Sequence, residues 1–321
     1  MGKKLRPASD WSTEALRDFP FEKRYLVAVS GGRDSVVLLH WLISHGYRKL
    51  VVCHLDHKLR GRASSGDARF VERLAKSFGL PFVLGRTDVL ALAKKSKRSI
   101  ETAARVARLD FFARVSRRRR CFTLFLGHHA DDLVETFLMN LFRGVGGSGR
   151  VMQPVSIHSV AQTKLTIVRP LLGVWRTEID SYVRGGLQFR EDASNRDLQP
   201  TRNRMRHTII PFLEKEFGRE IRAAIWRTAT ISAEEHALLD SFVAADLPGT
   251  ETLNVHRVRE LPIALQRRAL RGWLQSRKVT DIGFELVENV RALVDAQPTL
   301  SKINLPGDRH ARRRAGEIFL E

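Results

Sequence analysis

The first sharp hydrophobic pattern is Tyr25-Leu26-Val27-Ala28-Val29, a short apolar run that gives way to Ser30-Gly31-Gly32-Arg33-Asp34-Ser35 and then to Val36-Val37-Leu38-Leu39. That order predicts a buried strand, a tight glycine turn and a helix from about Ser35 to His45, with Gly46 suited to its C-terminal cap. The rhythm repeats. Lys49–Cys53, Pro81–Gly85 and Cys121–Leu126 read as further strands. Helices are predicted before Gly79-Leu80-Pro81, from Ser99 past Phe112, and over Leu133–Arg143. Strands alternating with helices predict an α/β fold with a doubly wound, mainly parallel sheet.

Between Met152 and Leu172 the alternation suggests a hairpin, followed by a helix around Trp175–Arg184. Another helix begins near Thr201. After Phe217-Gly218 the composition shifts to helical segments rich in Ala, Leu and Arg, with a break at Leu247-Pro248-Gly249. Residues 261–276 and 284–296 read as amphipathic helices, with Leu265, Leu270, Trp273 and Leu274 as core candidates. Ile303–Arg309 and Glu317–Leu320 read as short strands. The expectation is a first domain over residues 1–217 and a second, smaller, mainly helical domain over 218–321. The polar, basic residues 1–24 offer Trp11 and Phe19 as packing anchors against the first strand.

Charge narrows the partners. The chain carries 55 Lys+Arg against 35 Asp+Glu, a formal net charge of +20, which points to a polyanion and most simply to nucleic acid. Its two cysteines, Cys53 and Cys121, form no CxxC, so a disulfide framework or a cysteine-held metal centre is not expected. No apolar run approaches membrane-spanning length, and a cytoplasmic location with no membrane partner is expected.

The candidate chemistry gathers where strands end. Gly31 and Gly32 let the backbone approach a ligand, the following helix start favours an anion, and Ser30 and Ser35 add hydroxyls. Asp34 adds a carboxylate able to hold Mg²⁺ between phosphate oxygens. His54, Asp56 and His57 close the second strand without a fourth metal ligand near, and are expected to face the same crevice. Arg105 and Arg108, three apart, share a helix face, which by itself reads as a solvated one. Asp132 and Glu135 stand three apart at a helix start after His128 and His129, so both can point into the crevice. Arg202 and Arg206 suit phosphate contacts equally with ion pairing on a solvated face. Gly144–Gly149 spells G-x-G-x-x-G but follows a helix rather than a strand, so a mobile loop over the site is expected instead of a dinucleotide turn.

Ser30-Gly31-Gly32-Arg33-Asp34-Ser35 resembles the SGGxDS loop of the PP-loop ATP pyrophosphatases, which cleave ATP between its α- and β-phosphates. His54-Leu55-Asp56-His57-Lys58-Leu59-Arg60, Glu101-Thr102-Ala103-Ala104-Arg105, Leu126-Gly127-His128-His129-Ala130-Asp131-Asp132-Leu133-Val134-Glu135-Thr136 and Glu191-Asp192-Ala193-Ser194-Asn195 are similar to the later motifs of one branch, the tRNA(Ile)-lysidine synthases. The resemblance is dense over residues 25–218 and thin beyond.

The resemblance implies an adenine nucleotide alpha hydrolase-like catalytic domain followed by a tRNA-binding one. It implies ATP bound by Ser30, Gly31, Gly32, Arg33, Asp34, Ser35, His54 and Asp56, with Asp34 meeting Mg²⁺ and Arg105 near the phosphates. Asp132 and Glu135 would hold free L-lysine, and Arg202 and Arg206 would contact tRNA. Asp34, Arg105, Asp132 and Glu135 form the implied catalytic set. The implied reaction is a ligase's. It adenylates the wobble cytidine of a minor isoleucine tRNA with a CAU anticodon, then displaces AMP by lysine to give lysidine. A homodimer is one option for the assembly. The competitors are a tRNA thiolase of the same superfamily, which would want catalytic cysteines; a small-molecule amidotransferase or synthetase, which would not need so large a positive charge; and a non-catalytic RNA-binding protein, which would leave the three motifs unexplained together.

Overall fold

A computed structural model describes residues 8–59, 62–144, 151–190, 201–246, 251–297 and 300–321. Most of the expected glycine-rich loop after Gly144, the expected loop over Glu191–Asp197 and the expected break at Leu247-Pro248-Gly249 lie outside the described residues. The chain divides into two compact units, one of residues 1–135 and 153–222, the other of 136–152 and 223–321.

In the first unit the strands are β1 (Tyr25–Ala28), β2 (Leu50–Asp56), β3 (Phe82–Arg86), β4 (Thr123–Phe125), β5 (Val155–Val160) and β6 (Thr163–Val168). Its helices are α1 (Arg33–Ser44), α2 (Arg62–Ser77), α3 (Val89–Ser96), α4 (Ile100–Arg119), α5 (Ala130–Phe142, whose end belongs to the second unit), α6 (Arg176–Val183), α7 (Thr201–Arg204) and α8 (Ile210–Phe217). One π-helical turn, Met205–Ile209, joins the last two. The sheet order is β3-β2-β1-β4-β6-β5, parallel throughout except for the β5–β6 hairpin. Doubly wound, mainly parallel order is thus observed.

Two-residue alternation sends the strands' side chains into two cores. Tyr25, Val27, Val29, Leu50, Val52 and Phe125 pack on one face with α1, α2 and the buried Trp11. Leu26, Val51, Cys53, Leu55 and Leu124 pack on the other with Ala103, Ala107, Phe111 and Phe112 of α4. Gly85 is required there, since a Cβ would lie 2.5 Å from the Phe111 ring. Phe19 packs edge-on to Tyr25 at 6.2 Å, so both expected N-terminal anchors are found.

The strand order changes direction between β1 and β4. Loops leaving the carboxyl ends of these neighbours therefore meet at the switch point, where α/β sheets bind ligands. Gly127 shows how close they come, because a Cβ would stand 2.9 Å from the Asp34 carbonyl oxygen.

The second unit contains α9 (Ile221–Asp246, entering from the first unit), α10 (Val255–Arg259), α11 (Ile263–Ser276) and α12 (Phe284–Ala292). It also has an antiparallel sheet, β7 (Leu253–Asn254), β10 (Glu317–Leu320), β9 (Arg309–Arg314) and β8 (Lys302–Leu305) in that order. Leu270, Trp273 and Leu274 lie in its core as expected. Leu265 does not, because the core-facing stripe of α11 passes through Gln266, Ala269 and Leu270 and leaves it half-buried. The single strand expected over Ile303–Arg309 is broken by a turn at Gly307 and Asp308, both with positive φ (79° and 59°).

Candidate active site

The loop after β1 turns at Gly31, whose φ of +92° favours glycine and whose Cβ would press on Val71 at 3.3 Å. Gly32 caps α1. The Ser35 hydroxyl accepts from the Ser30 amide at 3.1 Å and donates to the Gly32 carbonyl at 2.8 Å, while the Ser30 hydroxyl accepts from the Gly32 amide at 3.2 Å. Arg190 ties the loop down, its amide donating to the Gly31 carbonyl at 2.8 Å and its Nε to Asp67 at 3.0 Å.

Asp34 is held by a residue 142 positions further along the chain. One guanidinium nitrogen of Arg176 donates to both its oxygens, at 2.9 and 3.0 Å. The Arg176 amide, at the start of α6, donates to Asp131 at 2.9 Å, so one residue links the loops after β1 and β4. Arg33 turns the other way, pairing with Asp180 and covering the Phe189 ring at 4.9 Å.

At the start of α5 acids and histidines interlock. His129 is 1% exposed, with Nε2 3.6 Å from Asp132 and Nδ1 3.5 Å from Asp131. Burial works against its charge, but Asp132, Asp131 and Asp34 outweigh it and raise its pKa. Asp132 is held down at about 2, burial being outweighed by His129, His128 and Arg202. His128 is pushed down to about 3 by burial, with Arg169, Arg108 and Arg202 adding to the effect against Asp132.

Glu135 is buried, and Arg206 grips it with Nε 2.6 Å and Nη2 3.0 Å from its two oxygens. Burial and the nearby Asp132 push the Glu135 carboxyl above its usual value against the pull of Arg206 and Arg202. Arg202 Nε stands 3.5 Å from the same carboxylate, and Arg206 also reaches Asp132 at 3.6 Å. The two arginines expected to meet RNA and the two acids expected to meet lysine thus form one cluster. The π-helical turn that carries Arg206 is an irregularity common at functional sites.

A cavity of about 580 Å³ opens over these carboxyl ends. Among the expected residues Ser30, Gly32, Asp34, Ser35, His54, Asp56, Arg105, Asp132 and Arg202 line it, whereas Gly31, Arg33, Glu135 and Arg206 do not. His54 is buried, and its Nδ1 donates to the Val29 carbonyl at 2.8 Å. Asp56 accepts from the Lys58 amide at 2.8 Å. His57 is pushed down to about 4 by burial and by Arg108. Arg108 and Arg169 also line the cavity. Among the described residues no group of three His, Cys, Asp or Glu side chains is arranged to hold a metal.

Sequence reasoning missed Arg176, Asp131 and Arg169 as site members. Arg176 two residues before Glu178, which caps the α6 amide of Trp175 at 2.8 Å, carried the one available hint, a helix start with an arginine at its head.

The PP-loop domain family matches residues 9–213, and the TilS substrate binding domain family matches 253–319. A tRNA(Ile)-lysidine synthase of Thermosynechococcus vestitus is 32% identical over 302 residues, 91% of this chain and 85% of that protein. The chain belongs to the tRNA(Ile)-lysidine synthase family. A family member from Geobacter sulfurreducens is 40% identical over 310 residues, 92% of this chain, and the chain spans 64% of that relative's length. Among solved structures, the U34-tRNA thiolase NcsA from Methanococcus maripaludis superposes with a TM-score of 0.52 at 20% identity, over 66% of this chain and 72% of that one, a likeness of fold.

Proposed function

We propose that the chain ligates L-lysine to C2 of the wobble cytidine in the CAU anticodon of a minor isoleucine tRNA, at the expense of ATP. The observation that carries the proposal is the one cavity onto which the Ser30–Ser35 loop and Asp132 both open, at the β1–β4 switch point. An ATP site and an ammonium site must adjoin if one nucleotide is to be adenylated and then attacked by an amine.

In this reading the C2 oxygen of cytidine attacks the α-phosphorus, the bond to the bridging oxygen breaks, and pyrophosphate leaves. The lysine ε-amine then attacks C2, the C2–O bond breaks with AMP leaving, and the nitrogen gives up a proton. An ammonium of ordinary pKa about 10.4 must be deprotonated first. Asp132, held at about 2, suits binding that ammonium rather than taking its proton. Glu135, raised by burial, is the better acceptor of the two, and Arg206, which holds both its oxygens outside the cavity lining, would have to release it for that step. Arg105 and the start of α1 serve the phosphates.

Mg²⁺ belongs to the proposal as the companion of ATP. A single loop carboxylate with neighbouring hydroxyls fits an ion that takes most of its ligands from phosphate and water. Asp34, Ser30 and Ser35 would face it, and it would offset phosphate charge as pyrophosphate departs. Arg176 would have to release Asp34 for that contact.

Thiolation fits less well. Cys53 and Cys121 are both buried, and burial drives the Cys53 thiol up to about 12, away from the thiolate that such chemistry uses. The deciding experiment incubates the protein with ATP, labelled lysine and a panel of tRNAs. Label held on the CAU isoleucine tRNA alone, and only with ATP, supports the proposal; label without ATP, or none, overturns it. Binding should also weaken log-linearly with salt, as phosphate contacts of a +20 chain require.

A further inference from the structure

Arg169 follows β6 directly, lines the cavity and is 7% exposed. One terminal nitrogen donates to the Gln153 carbonyl at 2.8 Å and to the Ser156 hydroxyl at 2.9 Å, both neutral, while Nε has no hydrogen-bond partner. Among the described residues no carboxylate lies within ion-pair distance of it. Three of the four acids on the cavity wall are engaged elsewhere, Asp34 with Arg176, Asp67 with Arg190, and Asp132 with His129 and Arg206; the fourth, Asp56, accepts from the Lys58 amide and makes no ion pair with Arg169. A buried guanidinium is costly unless it is paired, so an unpaired one on a cavity wall marks a place for an anion.

Strand order says which anion. The nucleotide loop follows β1, and the acids Asp132 and Glu135 follow β4. β6 lies on the far side of β4 from β1. Each step is about 4.8 Å across the sheet. Phosphates are served at the β1 end by the Ser30–Ser35 loop and the start of α1. Arg105, also given to the phosphates, shares the cavity wall with Arg169, so phosphate is the competing anion that the KM for ATP tests. Beyond the acids, a substrate with its amine at β4 would present its other end to β6. The four-carbon stem of lysine is long enough to bridge from one to the other.

We infer that Arg169 binds the α-carboxylate of the amino-acid substrate. The inference rests on the proposed lysine ligation and assigns to it the residue that distinguishes an amino acid from a plain diamine.

The test compares lysine, lysinamide and cadaverine as acceptors, with wild type, Arg169→Lys and Arg169→Met. Wild type should prefer lysine over both analogues by about 100-fold in kcat/KM, because the site's buried charge is left unpaired by a ligand lacking the carboxylate. Arg169→Met should lose most of that preference through a raised KM for lysine, with the KM for ATP and the use of cadaverine changed by less than about twofold; Arg169→Lys should fall between. Equal use of lysine and lysinamide by wild type overturns the assignment without needing any variant. So does a parallel loss on all three acceptors, or a raised KM for ATP, which would give Arg169 to the hairpin or to phosphate. If wild type attaches none of the three to tRNA, the ligation itself fails and this inference with it. Lysine attachment with unchanged discrimination sinks Arg169 alone.

Discussion

Arg206 and Glu135 meet as a two-point fork, with the carboxylate side chain 1% exposed and the guanidinium 27% exposed. The acid comes from α5 and the arginine from the π-helical turn before α8, so the fork also pins that turn to the sheet's carboxyl edge. Removing the arginine strands a buried charge; neutralising the acid strands one that can still reach water. Arg206→Met should therefore cost about 3 kcal/mol of unfolding free energy and Glu135→Gln about 1 kcal/mol, with the double variant less destabilised than the sum. Urea unfolding measures all three. Losses under about 0.5 kcal/mol for both singles would return the pair to a solvated face. On the proposed function, Glu135→Gln also lowers kcat for lysine transfer and raises the lysine concentration needed for half-maximal modification while ATP affinity holds, and both unchanged would take Glu135 off the lysine side.

Asp34 makes a prediction of the opposite kind. Its side chain is 31% exposed and its partner Arg176 29%, so the pair adds little stability. Asp34→Ala should leave the melting temperature within a few degrees yet lower ATP-dependent release of pyrophosphate by at least about 100-fold. Pyrophosphate release at the wild-type rate would remove Asp34 from nucleotide chemistry.

Gly127 ties these loops together without any polar contact. A Cβ there would lie 2.9 Å from the Asp34 carbonyl oxygen and 3.2 Å from the Ser35 Cα, both backbone atoms that cannot swing aside. Gly127→Ala should push the two loops apart, costing about 1–3 kcal/mol and weakening ATP binding by about tenfold. Calorimetric ATP binding equal to wild type would mean that the loops need not touch.

How far the sequence carries depends on whether a signal is local. The strand–glycine–helix turn at Tyr25–Leu39 is legible because the hydrophobic period switches from two to 3.6 across it. β2 reads as ending at Cys53 but continues to Asp56, since His54 and Asp56 look like a polar exit and are in fact buried, His54 by its bond to Val29. α3 goes unread although Asp88 caps it, accepting from the Ala91 amide at 2.9 Å; one buried turn of Val89 and Ala93 is too short a pattern. β9 hides behind its arginines. Its inward positions include Arg309 and Arg313, whose guanidiniums bond the Arg277 and Leu293 carbonyls at 2.8 and 2.9 Å, so the strand has no hydrophobic alternation to read. Arg176 is a purely tertiary partner of Asp34 and no window on the chain contains both. The acids Asp132 and Glu135 were visible by spacing; that Arg206 would grip one of them was not.

The cysteines allow a test that separates ligation from thiolation. Both are free, buried and 1% and 5% exposed, and burial raises both thiols. Replacing each with alanine removes a small apolar packing group, at about 1–2 kcal/mol apiece, and no reactive thiolate. Lysine transfer by a folded Cys53→Ala, Cys121→Ala protein should stay within about threefold of wild type. Abolished transfer, with circular dichroism unchanged, would count for sulfur chemistry.

The adjacent histidines should respond to acid with opposite signs. His128 is pushed down to about 3 chiefly by burial, and its Nδ1 has no hydrogen-bond partner. An unfolded chain takes up a proton there near pH 6.5, which the folded chain refuses until about pH 3. Its contribution is therefore present above pH 6.5 and is lost progressively as pH falls from there. His129 is raised, because Asp132, Asp131 and Asp34 outweigh its burial, so it contributes most below its unfolded pKa and loses that contribution as pH rises through the folded one. Between pH 7 and 4.5 Asp132, which titrates from its unfolded value of 3.8 down to about 2, stays ionised and does not confuse the comparison. Urea unfolding over that window should show His128→Gln losing about 1–2 kcal/mol less stability on acidification than wild type, and His129→Gln losing more. Parallel pH curves for wild type and both variants would mean that neither imidazole differs in protonation between the folded and unfolded chain, and the charge pattern drawn for the start of α5 would have to be redrawn.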